Sequence, residues 1–327
     1  MRIFNGVRFR AWFLSLLVCG LWQSYATAGI ITFGSGGNTF NMEFVAIGDA
    51  GNADDTTGTP SPAGAVGYAY GLGKYEVSED MITKFNASQT LQITKTLRGT
   101  NKPATSVSWN EAARFTNWLN TSTGGSEAYN ATGGVNTNIA LWDATLNPLD
   151  YDATNPYRSL RATYVLPSMD EWYKAAYYNP TTSTYFDYAT GSNSAPTPVA
   201  TGTGANDAVY QQPYGQVPAD VDLAGGLSPY GIMGLGGNVW EWAETSYELN
   251  NNSVLSNRVF RGGYSYSNSF GLSSSYRGSA EPAFEGEDVG FRVASLSSSA
   301  SVPEPGTFGV LSLVGLALVA YRKRMKK

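Results

Sequence analysis

The sequence predicts an α+β domain with helices early and irregular β structure late. Two observations carry this. Ser-x-x-Glu capping boxes at Ser108/Glu111 and Ser168/Glu171 each head an amphipathic stretch. From about residue 182 the helical pattern disappears, and Gly, Asn, Ser and Pro punctuate short runs such as "NVWEWAE", "RVFRGGYSYS" and "GFRVASL".

In chain order, residues 42–47 read as a short strand. The polar loop "GDAGNADDTTG" follows. Its Asp49, Asn52, Asp54 and Asp55 lack EF-hand spacing and the closing Glu, so a solvated loop is expected there. Ser78 with Glu79 and Asp80 starts a helix that carries Met81, Ile82 and Phe85 inward. "SVSWNEAARFTNWLN" places Trp109, Ala112, Ala113 and Thr116 on one helical face. "LPSMDEWYKAAYYNP" does the same with Met169, Trp172, Tyr173 and Ala176, and Pro180 follows its end. In "GLGGNVWEWAET" a strand period of two puts Gly237, Val239 and Glu241 on one side. Asn238, Trp240 and Trp242 then lie on the other, with the tryptophans toward the core.

The two ends stand apart from this domain. Residues 1–28 read as a secretory signal peptide: Arg2, Arg8 and Arg10, then an apolar stretch over 11–22, then Ala26-Thr27-Ala28 as a small-x-small cleavage site. Residues 295–301 read as a Ser-rich linker. In 302–327, Val302-Pro303-Glu304-Pro305 precedes an apolar run over 307–321, and Arg322, Lys323, Arg324, Lys326 and Lys327 close the chain. A helix of that run is only about 22 Å long, short for a bilayer core of about 30 Å. The basic cluster would keep its C-terminal end in the cytoplasm.

Cys19 lies inside the signal segment and the sequence has no histidine. The mature chain therefore offers no disulfide, thiolate nucleophile, Cys/His zinc site, Ser-His-Asp triad or histidine-ligated iron. Without the eight basic residues and one acid of the two ends, the ectodomain carries a net charge of −12. That argues against nucleic acid as a partner and suits divalent cations or extracellular solubility.

Pro-Glu-Pro, apolar helix and basic tail in that order resemble the PEP-CTERM sorting signal of Gram-negative bacteria. The resemblance implies export, transient anchoring in the inner membrane and removal by an exosortase. The protein would then remain at the cell surface or in extracellular matrix. In the ectodomain, "KYEVSEDMITKF", "VSWNEAARFTNWLN", "YVLPSMDEW", "SPYGIMGLGGNVWEW", "RVFRGG" and "DVGFRVAS" resemble, in order, the sulfatase-modifying-factor family. Its founding members are formylglycine-generating enzymes. The resemblance covers most of residues 29–294, taken as one domain. It implies an elaborated C-type-lectin-like α+β fold of formylglycine-generating-enzyme type, with little regular secondary structure.

The chemistry of that family does not carry over. Its enzymes hold copper with two cysteines between the RGG motif and a following arginine. Here residues 261–278 read "RGGYSYSNSFGLSSSYRG", with serines, tyrosines and Leu272 instead. Serine neither ligates copper(I) nor cycles redox states. The iron-dependent branch needs histidines. No copper or iron is expected.

The resemblance does imply structural calcium at two sites. Asn206 and Asp220 would supply side chains to the first, and Asp207 and Asp222 carbonyls. Gly237 and Val239 would supply carbonyls to the second and Glu241 its carboxylate, although Gly234 stands where the family usually has Asn or Asp. These are hard oxygen donors suited to calcium. The alternative for Glu241 is backbone amides or an ion pair with Arg258, Arg261 or Arg292.

Tyr264, Tyr266 and Tyr276 fall where the family's substrate cleft lies. They could stack on a glycan or peptide ligand or pack under the RGG turn. Glu281, Glu285, Glu287 and Asp288 read as a solvated acidic run. The expectation is an exported, non-catalytic ligand-binding or matrix domain. The alternative is an enzyme using non-thiol chemistry in the same cleft.

Overall fold

The computed structural model describes residues 29–131 and 139–296. The signal-peptide and sorting-signal readings, including the apolar run over 307–321, lie outside the described residues. Among the described residues, no helix is long and apolar enough to cross a membrane.

The described residues open with a hairpin of β1 (Gly29–Phe33) and β2 (Phe40–Ile47), followed by β3 (Tyr70–Gly73). In β2, Phe40, Met42 and Phe44 are buried while Asn41 is exposed, so alternation sets which face meets the core. Helices α1 (Glu79–Ser88) and α2 (Trp109–Ser122) come next, then β4 (Tyr164–Val165) and α3 (Met169–Tyr177).

Two small pairs follow, β5 (Tyr178–Asn179) with β6 (Thr184–Tyr185) and β7 (Thr197–Pro198) with β8 (Asp207–Ala208). The last third holds β9 (Trp240–Ser246), β10 (Arg258–Arg261), β11 (Gly278–Ala280), β12 (Val289–Phe291) and β13 (Ala294–Leu296).

Two sheets organise these strands. The first has the order β1-β2-β3-β13-β4, antiparallel throughout. The second has the order β11-β10-β9-β12, with β12 parallel to β9. The final strand therefore returns to the interior of the opening sheet. β13 runs two residues into the segment read as linker: Ser295 is buried and the Leu296 amide donates to the Thr163 carbonyl. The sequence placed that boundary early because a serine run is compositionally a linker, whereas β3 and β4 supply it with strand partners.

Both capping boxes form as expected. The Ser108 and Ser168 side chains accept from the Glu111 and Glu171 amides, and both glutamates reach back. The expected helical faces are buried, except that Met81 is only half-buried beside Ile82 and Phe85. The start of α2 docks on β9 through two reciprocal indole bonds. Trp109 Nε1 donates to the Ala243 carbonyl and Trp242 Nε1 to the Val107 carbonyl. Helix α3 packs on the same strand, which explains why β9 is buried on both faces.

The loop after β2 is not fully solvated. Asn52 and Asp55 are buried, Asn52 donating to the Gly64 carbonyl and Asp55 accepting from Tyr173. Polar composition suggested a water-facing loop, but Asn52 ties it to the Gly64 segment and Asp55 ties it to α3.

Candidate functional site

The segment at 234–242 is built by backbone close approach. Gly237 has φ +94, and a Cβ there would lie 2.4 Å from the Val209 carbonyl oxygen. At Gly234, with φ +78, a Cβ would meet the Glu76 carboxylate at 2.7 Å. Only glycine satisfies both demands.

Asn238 comes next, left-handed at φ 63 and fully buried. Its Oδ1 accepts from the Ala219 amide at 2.8 Å and its Nδ2 donates to Glu76 at 2.9 Å. Its carbonyl accepts from the Ser265 amide at 3.0 Å. One side chain and its backbone thus join three separate segments.

The Ser265 segment and the loop before Ala219 help to frame a cleft of about 460 Å³, within the range of small-ligand sites. Asn238 forms part of its lining. Tyr264 and Tyr266 supply one wall, directly after the RGG turn. A loop bearing Tyr214 and Gln216 supplies a second, and Glu287 and Asp288 with Arg98 a third.

Tyr266 is fixed by its hydroxyl, which donates to the Gln216 carbonyl and accepts from the Gly215 amide. Its ring stands at 72° to Tyr264 with centroids 5.7 Å apart, making a corner. Tyr214 lies 6.1 Å from Tyr266 and is 99% exposed. Arg98 donates from Nη1 to the Glu287 carbonyl and to Thr105. Burial pushes the Asp288 carboxyl above its usual range.

Tyr276 is not among the residues lining this cleft. It packs on Trp240 and Phe270 at 5.5 and 5.4 Å. The sequence reading missed Tyr214, Gln216, Arg98 and Asn238. It also treated Glu287 and Asp288 as part of a solvated run. No local pattern marks them, because the segments that carry them are far apart in sequence and meet only in the folded chain.

The residues proposed for metal are partnered within the chain. Both Glu241 oxygens face Arg292, at 2.5 and 2.6 Å, and Trp172 Nε1 donates to one of them at 2.7 Å. Both ionic groups are fully buried. The ion-pair alternative is therefore the one the structure forms, with Arg292. Arg258 and Arg261 instead stack on aromatic rings and donate to carbonyls. Glu241 is not on an open, oxygen-rich face, and a cation at Gly237, Val239 and Glu241 does not fit an arrangement that Arg292 already neutralises.

In the first set, the Asn206 side-chain oxygen accepts from Thr190, and the Asp207 carbonyl accepts from the Gly226 amide. Asp220 pairs with Lys102 at 2.9 Å and the Asp222 carboxylate accepts from Asn101. Asp220 is still 35% exposed, and its donors are hard oxygens. Among the described residues, no three acidic side chains converge on one point.

Residues 41–296 match the sulfatase-modifying factor enzyme 1-like domain model. The chain belongs to the sulfatase-modifying factor family. Its fold is of the formylglycine-generating-enzyme type. Among solved structures it is similar to variable protein 1 of Treponema denticola, at 20% identity and a TM-score of 0.56, over 82% of this chain and 99% of that one. It is also similar to CarF, at 18% identity and a TM-score of 0.55, over 78% and 98%. At these identities the likeness concerns the fold. No curated protein matches the chain.

Within this family member, the stretch after the RGG turn holds side chains engaged with backbone. Ser267 accepts from the Tyr264 amide, Ser273 donates to the Phe270 carbonyl, and Leu272 is buried.

Proposed function

We propose that the chain is an exported, non-catalytic member of the sulfatase-modifying factor family that holds a ligand in the cleft of Tyr214, Tyr264 and Tyr266. The observation that carries this reading is the cleft itself. Exposed Tyr214 and half-buried Tyr264 and Tyr266 stand together on a fixed frame, beside a segment without thiols. Signal peptide, linker and C-terminal sorting signal support delivery to the surface or extracellular matrix, with processing by an exosortase-type enzyme.

Glycan and peptide arrays probed with the full chain test the reading, with Tyr264→Ala as control. Retained ligands lost in the variant are the expected result. Copper-dependent oxidation of a cysteine-containing peptide would overturn the non-catalytic part.

We carry calcium as a proposal at the first set alone, where Asn206 and Asp220 would give side chains and Asp207 and Asp222 carbonyls. A cation there must displace Lys102 from Asp220. Calcium is therefore expected to raise the melting temperature reversibly, with chelator restoring the lower value. Identical melting curves with calcium and with chelator would remove the proposal.

A further inference from the structure

We infer that the open edge of β1 pairs with β1 of a second copy of this chain, antiparallel and centred on Ile31. None of the residues lining the cleft takes part, so the contact does not depend on what the cleft binds. Among the described residues β1 pairs only with β2, in a five-residue register without a bulge. Its other side leaves a row of backbone donors and acceptors unmatched.

The other three sheet edges are each protected. β4 is two residues long. β11 has three residues, with Arg277 before it and Glu281 and Pro282 after. β12 lies close to Asp288 and Arg292, and its Phe291 carbonyl accepts from the Val77 amide. Short length, charge, proline and covering chain are the usual means of keeping an edge from pairing. Among the described residues β1 has none of them. Gly29–Phe33 reads GIITF, and residues 29–42 hold no charged side chain. Ile30 is β-branched and 66% exposed, and Ile31 is half-buried.

Charge and symmetry select a second copy as the occupant. Each ectodomain carries −12, so two copies repel over most of their surface and approach best where charge is absent. Two identical antiparallel strands are related by a two-fold axis, so one patch serves both partners and the contact closes. Centring on Ile31 is the register that engages all five residues. It sets Gly29 opposite the second copy's Phe33 and Ile30 opposite its Thr32. Two five-stranded sheets then become continuous. So short a contact is weak in dilute solution and gains from the high local concentration of a surface layer or matrix.

Cysteine cross-linking tests this without background, since Cys19 is the one cysteine of the sequence and Cys19→Ser removes it. In the full chain, Ile30→Cys, Ile31→Cys and Thr32→Cys are each oxidised mildly. Residue 31 meets its own counterpart at a Cα separation of about 4.5–5.5 Å, within disulfide reach. Residues 30 and 32 meet theirs only diagonally, at about 7–8 Å. Ile31→Cys is expected to give covalent dimer at least about fivefold above either neighbour. It should exceed Leu146→Cys, an 80% exposed control, by the same margin. Ile30→Cys with Thr32→Cys in one chain should cross-link as well, because these positions face each other, and this variant leaves Ile31 in place. Adding Ile30→Lys to Ile31→Cys should cut the yield at least about fivefold, as a charge on an edge does. Equal yields at all three positions, or a yield at 31 no greater than at 146, would be random collision and would overturn the inference. A yield that Ile30→Lys leaves unchanged would do the same. Adducts of the Ile31→Cys chain to a different polypeptide in exporting cells, in place of the dimer, would give the edge another occupant and overturn self-pairing.

Discussion

At the scale of single residues, two buried glutamates divide the work around β9. Glu241 is neutralised by Arg292, whereas Glu76 has only the Asn238 amide on one oxygen, and its Oε2 has no partner. Burial pushes the Glu76 carboxyl up to about 8. The nearby Glu241 charge adds to this, while Arg292 and Asn238 work against it. The folded-state value thus lies above the unfolded one. The stability from this proton is fully present below about pH 4.5 and is lost as pH rises toward 8. Glu76→Gln keeps an acceptor for Asn238 and removes the titration. Thermal melts should show the variant close to the native chain at pH 5. At pH 8 it should be more stable by at least roughly 2–4 °C, the shift that about 1 kcal/mol makes in a domain of this size. Equal differences at both pH values would show that Glu76 does not titrate in this window.

At the scale of elements, two capping boxes with the same sequence grammar have different surroundings. Glu171 at the start of α3 receives both Arg158 terminal nitrogens at 2.8 and 2.9 Å, and Arg158 also reaches Glu244 at 2.9 Å. Burial opposes ionisation of Glu171, yet Arg158 holds its carboxyl below the usual range. Glu111 at the start of α2 has Arg114 only at 3.7 Å, and burial raises its carboxyl. Glu171→Ala should therefore cost about 3–5 kcal/mol by leaving a buried guanidinium under-paired. Glu111→Ala should cost about 1–2 kcal/mol, the loss of a cap and its bonds. Urea denaturation of both variants measures the difference, and equal losses would contradict it.

At the scale of the whole molecule, the fold closes through its last strand. β13 lies between β3 and β4, so the sheet begun at Gly29 is completed only when Ala294–Leu296 arrive. A chain ending at Val293 would leave both neighbours with unpaired backbone groups. Residues 29–296 are expected to give a cooperative melt by circular dichroism, and residues 29–293 to lose it. A cooperative melt of the shorter chain would show that the sheet closes without β13.

The sequence by itself determined the α+β class, the caps of α2 and α3, their inward faces and the family. Each of these depends on local spacing or on ordered motifs. Tertiary structure alone decided which arginine pairs with Glu241, because Arg258, Arg261 and Arg292 are equivalent on paper and differ only in what surrounds them. It also separated Tyr276 from Tyr264 and Tyr266, brought Tyr214, Arg98 and Asp288 to them, and carried the domain through Leu296. In every one of these cases the partner lies far along the chain. Tertiary packing determines the contact, and no local period records it.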